Sequence, residues 1–230
     1  MKGIFLHMGT RIPDYRGIMK TQKDIILKGR NIPINNVVIC EQTHSNMVHL
    51  CSVEDNGAGV KDHPQIAVAD GLVTNICNQY LLIRTADCFP VMFFDEYQKV
   101  VAGVHSGREG TRKNIVGEAV KVMVEHYGCK PENIVAHIGA GICEQHYEVS
   151  ELLWDEFNQN LEKMDLCPCN KQYRHLNLRA TIHQQLIQAK LKFININNVQ
   201  ECTYENKDYF SYRKEKGNNR QINIIGICNE

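Results

Sequence analysis

Seven short apolar runs crowd the first half of the chain: "GIFLHM", "NVVICEQ", "MVHLCSV", "GLVTN", "YLLIRT", "PVMFFD" and "KVVAGVH". Each reads as a strand of about 4 to 7 residues. Several are apolar throughout rather than alternating, and such strands need cover on both faces. The fold they permit is therefore layered, with sheet packed against sheet or helix on either side. Three later stretches switch to helical spacing. "NIVGEAVKVMVEHYG" aligns Val116, Val120, Met123, Val124 and Tyr127, with Gly128 as C-cap. "SELLWDEFNQNLEK" starts at Ser150 as N-cap and aligns Leu153, Phe157 and Leu161. "NLRATIHQQLIQAK" starts at Asn177 and aligns Leu178, Ile182, Leu186 and Ala189. "YFSYR" and "INIIGI" read as a terminal hairpin around "KEKGNN". With no repeat, low-complexity tract or Pro/Gly/Ser linker, residues 1–230 are expected to form one domain of the α/β (α+β) class with mixed sheets.

The chain has 230 residues, 43% of them hydrophobic, enough for a sizeable core. Lys+Arg and Asp+Glu are equal at 26 each. This balance gives no electrostatic reason to expect nucleic acid or an anionic membrane as partner, and favours a small, locally bound substrate. No segment has the length of a membrane span or of a signal-peptide core, so a cytoplasmic protein with mostly reduced cysteines is expected. The one close cysteine pair, Cys167 and Cys169 in "CPC", matches neither a redox C-x-x-C nor half of a zinc ribbon.

Metal-capable side chains stand where apolar runs end: His44 in "CEQTHSN", Cys88 in "RTADCFPV" and His105 in "AGVHSGREG". Two imidazoles and a thiolate suit zinc, and three protein ligands leave a fourth position open to water or substrate. The same residues taken singly have plainer readings, since a lone buried cysteine is usually a small hydrophobe and a lone histidine a hydrogen-bonded one. Their spacing is far wider than that of zinc fingers, so chemistry alone leaves core residue, ligand and nucleophile all open for Cys88. Pro90 stiffens the backbone just after it. The glycine-bearing turn after His105, with Arg108 or Arg112, has the makings of an anion site, but ordinary strand-to-helix loops use the same residues. Gly139 and Gly141 begin a dinucleotide fingerprint that fails at Glu144, where the third glycine belongs. Neither a P-loop nor a G-x-S-x-G nucleophile elbow is present.

Taken in order, "EQTHS", "ADGLVTN", "RTADCFPVMFFD", "VAGVHSGREG", "IGAGICEQHYEVS" and "CTYENKDYFSYR" resemble the laccase-domain family, also called the YfiH or multicopper polyphenol oxidase family. The resemblance runs from about Gln42 to the C-terminus. It implies a single layered α/β/β/α domain and a His-Cys-His zinc site at His44, Cys88 and His105. It also implies purine nucleoside phosphorylase activity on adenosine, inosine, guanosine and methylthioadenosine with phosphate, accompanied by adenosine deaminase activity. Copper-dependent polyphenol oxidation, removal of wrong peptidoglycan precursors and a Cys-His hydrolase are further activities associated with such proteins. The chain departs from the family pattern at Arg108 and Glu109, where Trp and Arg are usual, and in a loop at 138–149 without the usual prolines. "GTRIPDYRG" corresponds to the family's S-T-R-x-G-G, but the Leu-Asn-Leu segment that follows it is not recognisable.

In the phosphorolysis reading, phosphate attacks C1′ of the ribose and the purine leaves, with Arg11 and Gln42 as the substrate contacts carried over. In the deamination reading, an activated water attacks C6 of adenine. Either needs an acid or base, for which Asp87, Glu148 and His146 are candidates. The rival hydrolase makes Cys88 a nucleophile activated by His105 or His44. Copper at the same donors would give oxidation as a side activity. The oligomeric state stays open.

Overall fold

The computed structural model describes residues 3–168 and 170–228; Cys169 of the "CPC" pair lies outside the described residues. In chain order the strands are β1 (Ile4–His7), β2 (Ile25–Leu27), β3 (Arg30–Ile32), β4 (Val37–Ile39), β5 (Val48–Leu50), β6 (Gly71–Thr74), β7 (Tyr80–Thr85), β8 (Phe89–Asp95), β9 (Val100–Ser106), β10 (Val135–Ile138), β11 (Ile196–Asn198) and β12 (Gln221–Ile227). The helices are α1 (Tyr15–Thr21), α2 (Arg108–Arg112), α3 (Ile115–Tyr127), α4 (Glu151–Lys163), α5 (Leu178–Gln188) and α6 (Tyr212–Glu215). One sheet runs β1-β12-β7-β4 and a second runs β11-β10-β8-β9-β6-β5, while β2 and β3 form a separate hairpin. Both large sheets mix parallel and antiparallel pairs, as expected of the α/β (α+β) class.

The uninterrupted apolar strands are explained by the layering. Side chains alternate across a strand, so each strand of these sheets feeds two cores. On β8, Phe89, Val91 and Phe93 join the cluster under α3, α4 and α5, whereas Met92 and Phe94 point into the space between the sheets. On β7, Leu81 and Ile83 meet Met92 and Phe94 from the opposite sheet, and Tyr80 and Leu82 face Ile18 of α1 and the β2–β3 hairpin. The result is the α/β/β/α sandwich. Each fully buried Leu, Ile or Phe contributes about 1.5–3 kcal/mol, so three apolar layers fix every strand's register.

The three long helices start and stop where their caps dictate. The side chains of Ser150 and Asn177 accept from the N–H groups of Leu153 and Ala180, and Gly128 closes α3 at φ 66°. The expected terminal hairpin is corrected. "YFSYR" is not a strand: Ser211 caps α6 through the N–H of Lys214, and the Phe210 N–H donates to Gln221 Oε1 at 3.0 Å. β12 has no place for such a partner because β1 and β7 occupy its two edges. Glycines of the failed fingerprint are packing residues, since a Cβ at Gly141 would lie 2.6 Å from the Phe89 ring and one at Gly139 would lie 2.6 Å from Pro90. Glu144, where that fingerprint broke, is buried and accepts from the Gln172 N–H and the Asn177 side chain, both at 3.0 Å.

Candidate metal centre and its cleft

Three loops converge beside the ends of β4, β8 and β9. His44 follows β4 on a turn where Gln42 (φ 58°) and His44 (φ 61°) are both left-handed, a conformation uncommon outside glycine. A buried carboxylate holds that turn. Asp70 Oδ1 accepts from the His44 N–H at 3.0 Å, and Oδ2 accepts from the Ser45 N–H at 2.7 Å and the Ser45 hydroxyl at 2.8 Å. Oδ1 also accepts from His105 Nδ1 at 2.8 Å. One side chain thus sets both the backbone of His44 and the ring of His105, and with Nδ1 committed as donor, Nε2 of His105 is left to act as a ligand or base.

His105 lies on β9 opposite Pro90 of β8, which brings Cys88, the residue just before β8, against it. The rings of His44 and His105 meet edge to face at 4.9 Å between centroids. The ligand atoms of His44, Cys88 and His105 all lie within 4.8 Å of one another. Gly107 is part of the cradle, because a Cβ there would sit 2.8 Å from Cys88 Sγ and 3.1 Å from His44 Cδ2. His105 is buried, Cys88 half-buried and His44 exposed, so the cluster opens toward solvent on the His44 side.

The electrostatics favour a charged pair. Burial pushes the Cys88 thiol up, but the neighbouring imidazoles of His105 and His44 outweigh it and bring it well below the usual range. Burial pushes His105 down, yet the sulfur of Cys88 and the carboxylate of Asp70 raise it overall. Asp70 itself is pushed up by burial, and its hydrogen bonds from His105 and Ser45 reverse this and hold it at about 2. A thiolate and two imidazoles with an oriented carboxylate behind one of them form a donor set that fits a zinc ion, and the arrangement also matches a thiol–imidazole–carboxylate nucleophile.

The cluster forms part of the wall of a cleft of about 670 Å³, shared with Tyr15, Gln42, Arg84, Tyr212 and Arg220. Arg84 is tethered there: its guanidinium donates to the carbonyls of Cys40 at 2.6 Å and Glu41 at 2.9 Å and stacks on Tyr15 at 4.9 Å. Gln42 spends its amide on Arg84, accepting from the Arg84 N–H at 2.9 Å and donating to its carbonyl at 2.7 Å. Arg220 stacks on Tyr212 at 5.7 Å, with Nη1 donating to Gly217 and Asn219 carbonyls.

Other residues singled out in the sequence lie elsewhere. Arg11 lines a different depression, paired with Glu215 and stacked 4.6 Å over Phe210. Asp87 (φ 85°) is structural in its contacts, with Oδ1 accepting from Thr203 at 2.8 Å and Oδ2 from the Arg213 N–H at 2.6 Å. Glu148 pairs with Arg174 at the surface, and His146 belongs to a separate group with Cys143, Cys202 and Glu205. Arg108 and Arg112 both pair with Glu109, so the turn after His105 keeps its cations occupied internally. A third grouping, His49, Cys51 and Asp55, is a helix-start network in which Asp55 also accepts from the Ser52 N–H. Asp70, Tyr15, Tyr212 and Arg220 were not singled out in the sequence. The "ADG" of "ADGLVTN" was the available signal for Asp70, a charged residue set directly before an apolar strand.

A match to the family described as multi-copper polyphenol oxidoreductase laccase spans residues 5–228. A purine nucleoside phosphorylase of Corynebacterium glutamicum is 33% identical over 196 residues, covering 85% of this chain and 76% of the relative. The purine nucleoside phosphorylase YlmD of Bacillus subtilis is 28% identical over 228 residues, covering 96% and 82%. Among solved structures, the hypothetical protein YfiH of Bacillus licheniformis superposes with a TM-score of 0.85 at 25% identity, covering 97% of this chain and 92% of that one.

Proposed function

The chain belongs to the multi-copper polyphenol oxidoreductase laccase family, and on that premise we propose that it is a purine nucleoside phosphorylase whose chemistry is centred on His44, Cys88 and His105. The observation that carries this reading is a cleft that joins a two-imidazole, one-thiol cluster to two tyrosines, each stacked with an arginine. The aromatic faces of Tyr15 and Tyr212 suit a purine, and the guanidinium of Arg220 suits phosphate, while Arg84, bound to protein acceptors, contributes its charge. Relatives named purine nucleoside phosphorylase support the same substrate class.

His44, Cys88 and His105 would hold a zinc ion, which when bound supplies Lewis acidity to an oxygen of the reactants. Around it, Asp70 fixes the His105 ring, Gln42 fixes Arg84, and Arg220 offers phosphate the edge opposite its carbonyl contacts. Arg11 reaches a substrate only by leaving Glu215, and the Arg84 guanidinium is already held by Tyr15, Cys40, Glu41, Gln42 and Gln65, so both rank behind Arg220 as a phosphate contact. Phosphate then attacks C1′, the glycosidic C–N bond breaks with its electron pair going to the purine, and a proton delivered to the purine completes the leaving group. Glu41, at the rim with Oε2 accepting from the Val68 N–H at 3.2 Å, is the carboxyl within the cleft that can exchange that proton. Adenosine, inosine, guanosine and methylthioadenosine are the substrates proposed. Adenosine deaminase activity shares the site, with an activated water attacking C6 of adenine and ammonia leaving, and copper on the same donors, with dioxygen as oxidant, supports polyphenol oxidation as a side activity.

The second reading rests on the alignment of Cys88, His105 and Asp70, which suits a cysteine hydrolase acting on acyl or peptide-like substrates such as peptidoglycan precursors. The metal separates the two. Phosphate-dependent release of adenine from adenosine, lost on chelation, supports the phosphorylase, whereas a metal-free active enzyme blocked by a thiol reagent supports the hydrolase. The buried Cys40, Cys51, Cys129, Cys202 and Cys228 are thiols, which suits a reducing compartment such as the cytoplasm, and no described helix is long and apolar enough to cross a membrane.

A further inference from the structure

We propose a second, structural zinc site formed by Cys143, His146, Cys202 and Glu205, separate from the cleft. The backbone builds it. β10 and β11 are parallel neighbours, with Ile138 opposite Asn198, so the loops that follow them emerge side by side at one end of the sheet. An isolated bridge joins Gly141 to Cys202, and the Thr203 N–H donates to the Gly141 carbonyl at 3.2 Å. Each loop carries its ligands three positions apart in a knuckle, Cys143-Glu-Gln-His146 on one and Cys202-Thr-Tyr-Glu205 on the other. Such a spacing of two intervening residues is common within local zinc-binding turns.

The four ligand atoms lie within 4.8 Å of one another. His146 Nδ1 is 3.2 Å from Cys143 Sγ, 4.0 Å from Cys202 Sγ and 3.4 Å from Glu205 Oε1. Tetrahedral zinc with Zn–S near 2.3 Å and Zn–N or Zn–O near 2.0 Å requires edges of about 3.3–3.8 Å, which these distances bracket. Burial first, and the neighbouring Cys202 sulfur second, push the Cys143 thiol up, so a metal must displace its proton on binding. The Cys143 N–H donates to Cys202 Sγ at 3.2 Å, and Arg179, anchored on the Glu201 carbonyl at 2.9 Å, places positive charge beside both sulfurs. The His146 ring is held by stacking on Tyr204, 4.3 Å between centroids and 16° from parallel. Four protein ligands close the coordination sphere, so the site is structural rather than catalytic. Two Cys S–Zn bonds form on binding, and the two thiol protons leave to solvent.

The site has a route to the cleft. Thr203, between two of the ligands, donates to Asp87 at 2.8 Å, and Asp87 immediately precedes Cys88. A metal at the knuckles therefore clamps the segment that presents Cys88.

The test is a metal count on purified, reduced protein titrated with zinc and, separately, with cobalt as a spectroscopic substitute. Wild type is expected to bind two tight equivalents per chain. Cys88→Ala should retain one, and cobalt in that variant should show intense tetrahedral d–d bands with charge transfer from two thiolates. Cys143→Ser/Cys202→Ser should lose that signal while keeping the equivalent held by the cleft. A wild-type stoichiometry of one, abolished by Cys88→Ala, overturns the proposal, as does a cobalt spectrum of Cys88→Ala without thiolate charge transfer. If the double cysteine variant does not fold, the Cys88→Ala spectrum alone decides.

Discussion

Asp70 is the residue on which the cleft cluster's geometry depends, because its two carboxylate oxygens serve His44, Ser45 and His105 at once. Asp70→Asn would put an amide where a carboxylate orients His105, and loss of such an outer partner typically costs about 10–100-fold in metal affinity. Chelator competition should show that loss while Cys88→Ala abolishes binding at the cleft altogether; an unchanged affinity in Asp70→Asn would contradict its positioning role. His44, Cys88 and His105 were legible in the sequence because polar ligands at the ends of apolar runs stand out. Asp70 was not, since its function exists only once partners 26 and 35 positions away fold onto it. Arg84 was likewise opaque, because its partners, the carbonyls of Cys40 and Glu41 and the side chains of Tyr15, Gln42 and Gln65, come together only in the fold. A second residue-scale prediction concerns His7, whose ring nitrogens are buried without partners; burial first, and Lys28 second, lower it to about 4. The unfolded chain, with a histidine near its ordinary 6.5, binds the proton more readily, so stability is intact above that pH and falls as pH drops toward 4. Urea denaturation across this window should show a loss approaching about 3 kcal/mol that His7→Gln removes, and identical pH profiles for the two proteins would refute it.

At the scale of elements, the turn from β9 into α2 constrains the cluster directly. Gly107 passes the cluster so closely that a methyl group would meet Cys88 Sγ. Gly107→Ala should therefore displace Cys88 or His44, lowering metal affinity by at least about tenfold with little loss of secondary structure, as read by metal titration beside circular dichroism; full affinity would show that the cradle yields. The long helices were readable from spacing and caps because a single amphipathic face and one capping side chain determine each. The strands of the two large sheets were readable as strands, while their pairing was not: an uninterrupted apolar run says that a strand is covered on both faces but not by which neighbour. That is why "INIIGI" drew a hairpin partner from "YFSYR", whereas β12 pairs with β1 and β7 from distant parts of the chain. Short elements such as α1 and the β2–β3 hairpin carry too few periodic positions to stand out, and their positions are set by packing on Tyr80 and Leu82.

For the whole molecule, the layer between the sheets joins the two halves of the sandwich. Ile83 is buried there among Met92, Phe94 and Ile225. Ile83→Ala should cost about 2–5 kcal/mol, and because both sheets share this layer, wild type and variant should each unfold in one transition seen alike by fluorescence and circular dichroism; two separated transitions would contradict a single folding unit. The same layering brings loops flanking β4, β8 and β9 together, so that both sheets contribute to the cleft and its cluster. Arg220 reaches this cleft from the segment just before β12, and Arg220→Gln should raise the KM for phosphate about tenfold or more while sparing the KM for nucleoside. The most direct test of the function is to incubate the metal-loaded protein with adenosine, with and without phosphate, and resolve the products. Adenine and ribose 1-phosphate should accumulate only when phosphate is present, and Cys88→Ala should form neither; no adenine in the presence of phosphate, or full activity in Cys88→Ala, would contradict the assignment.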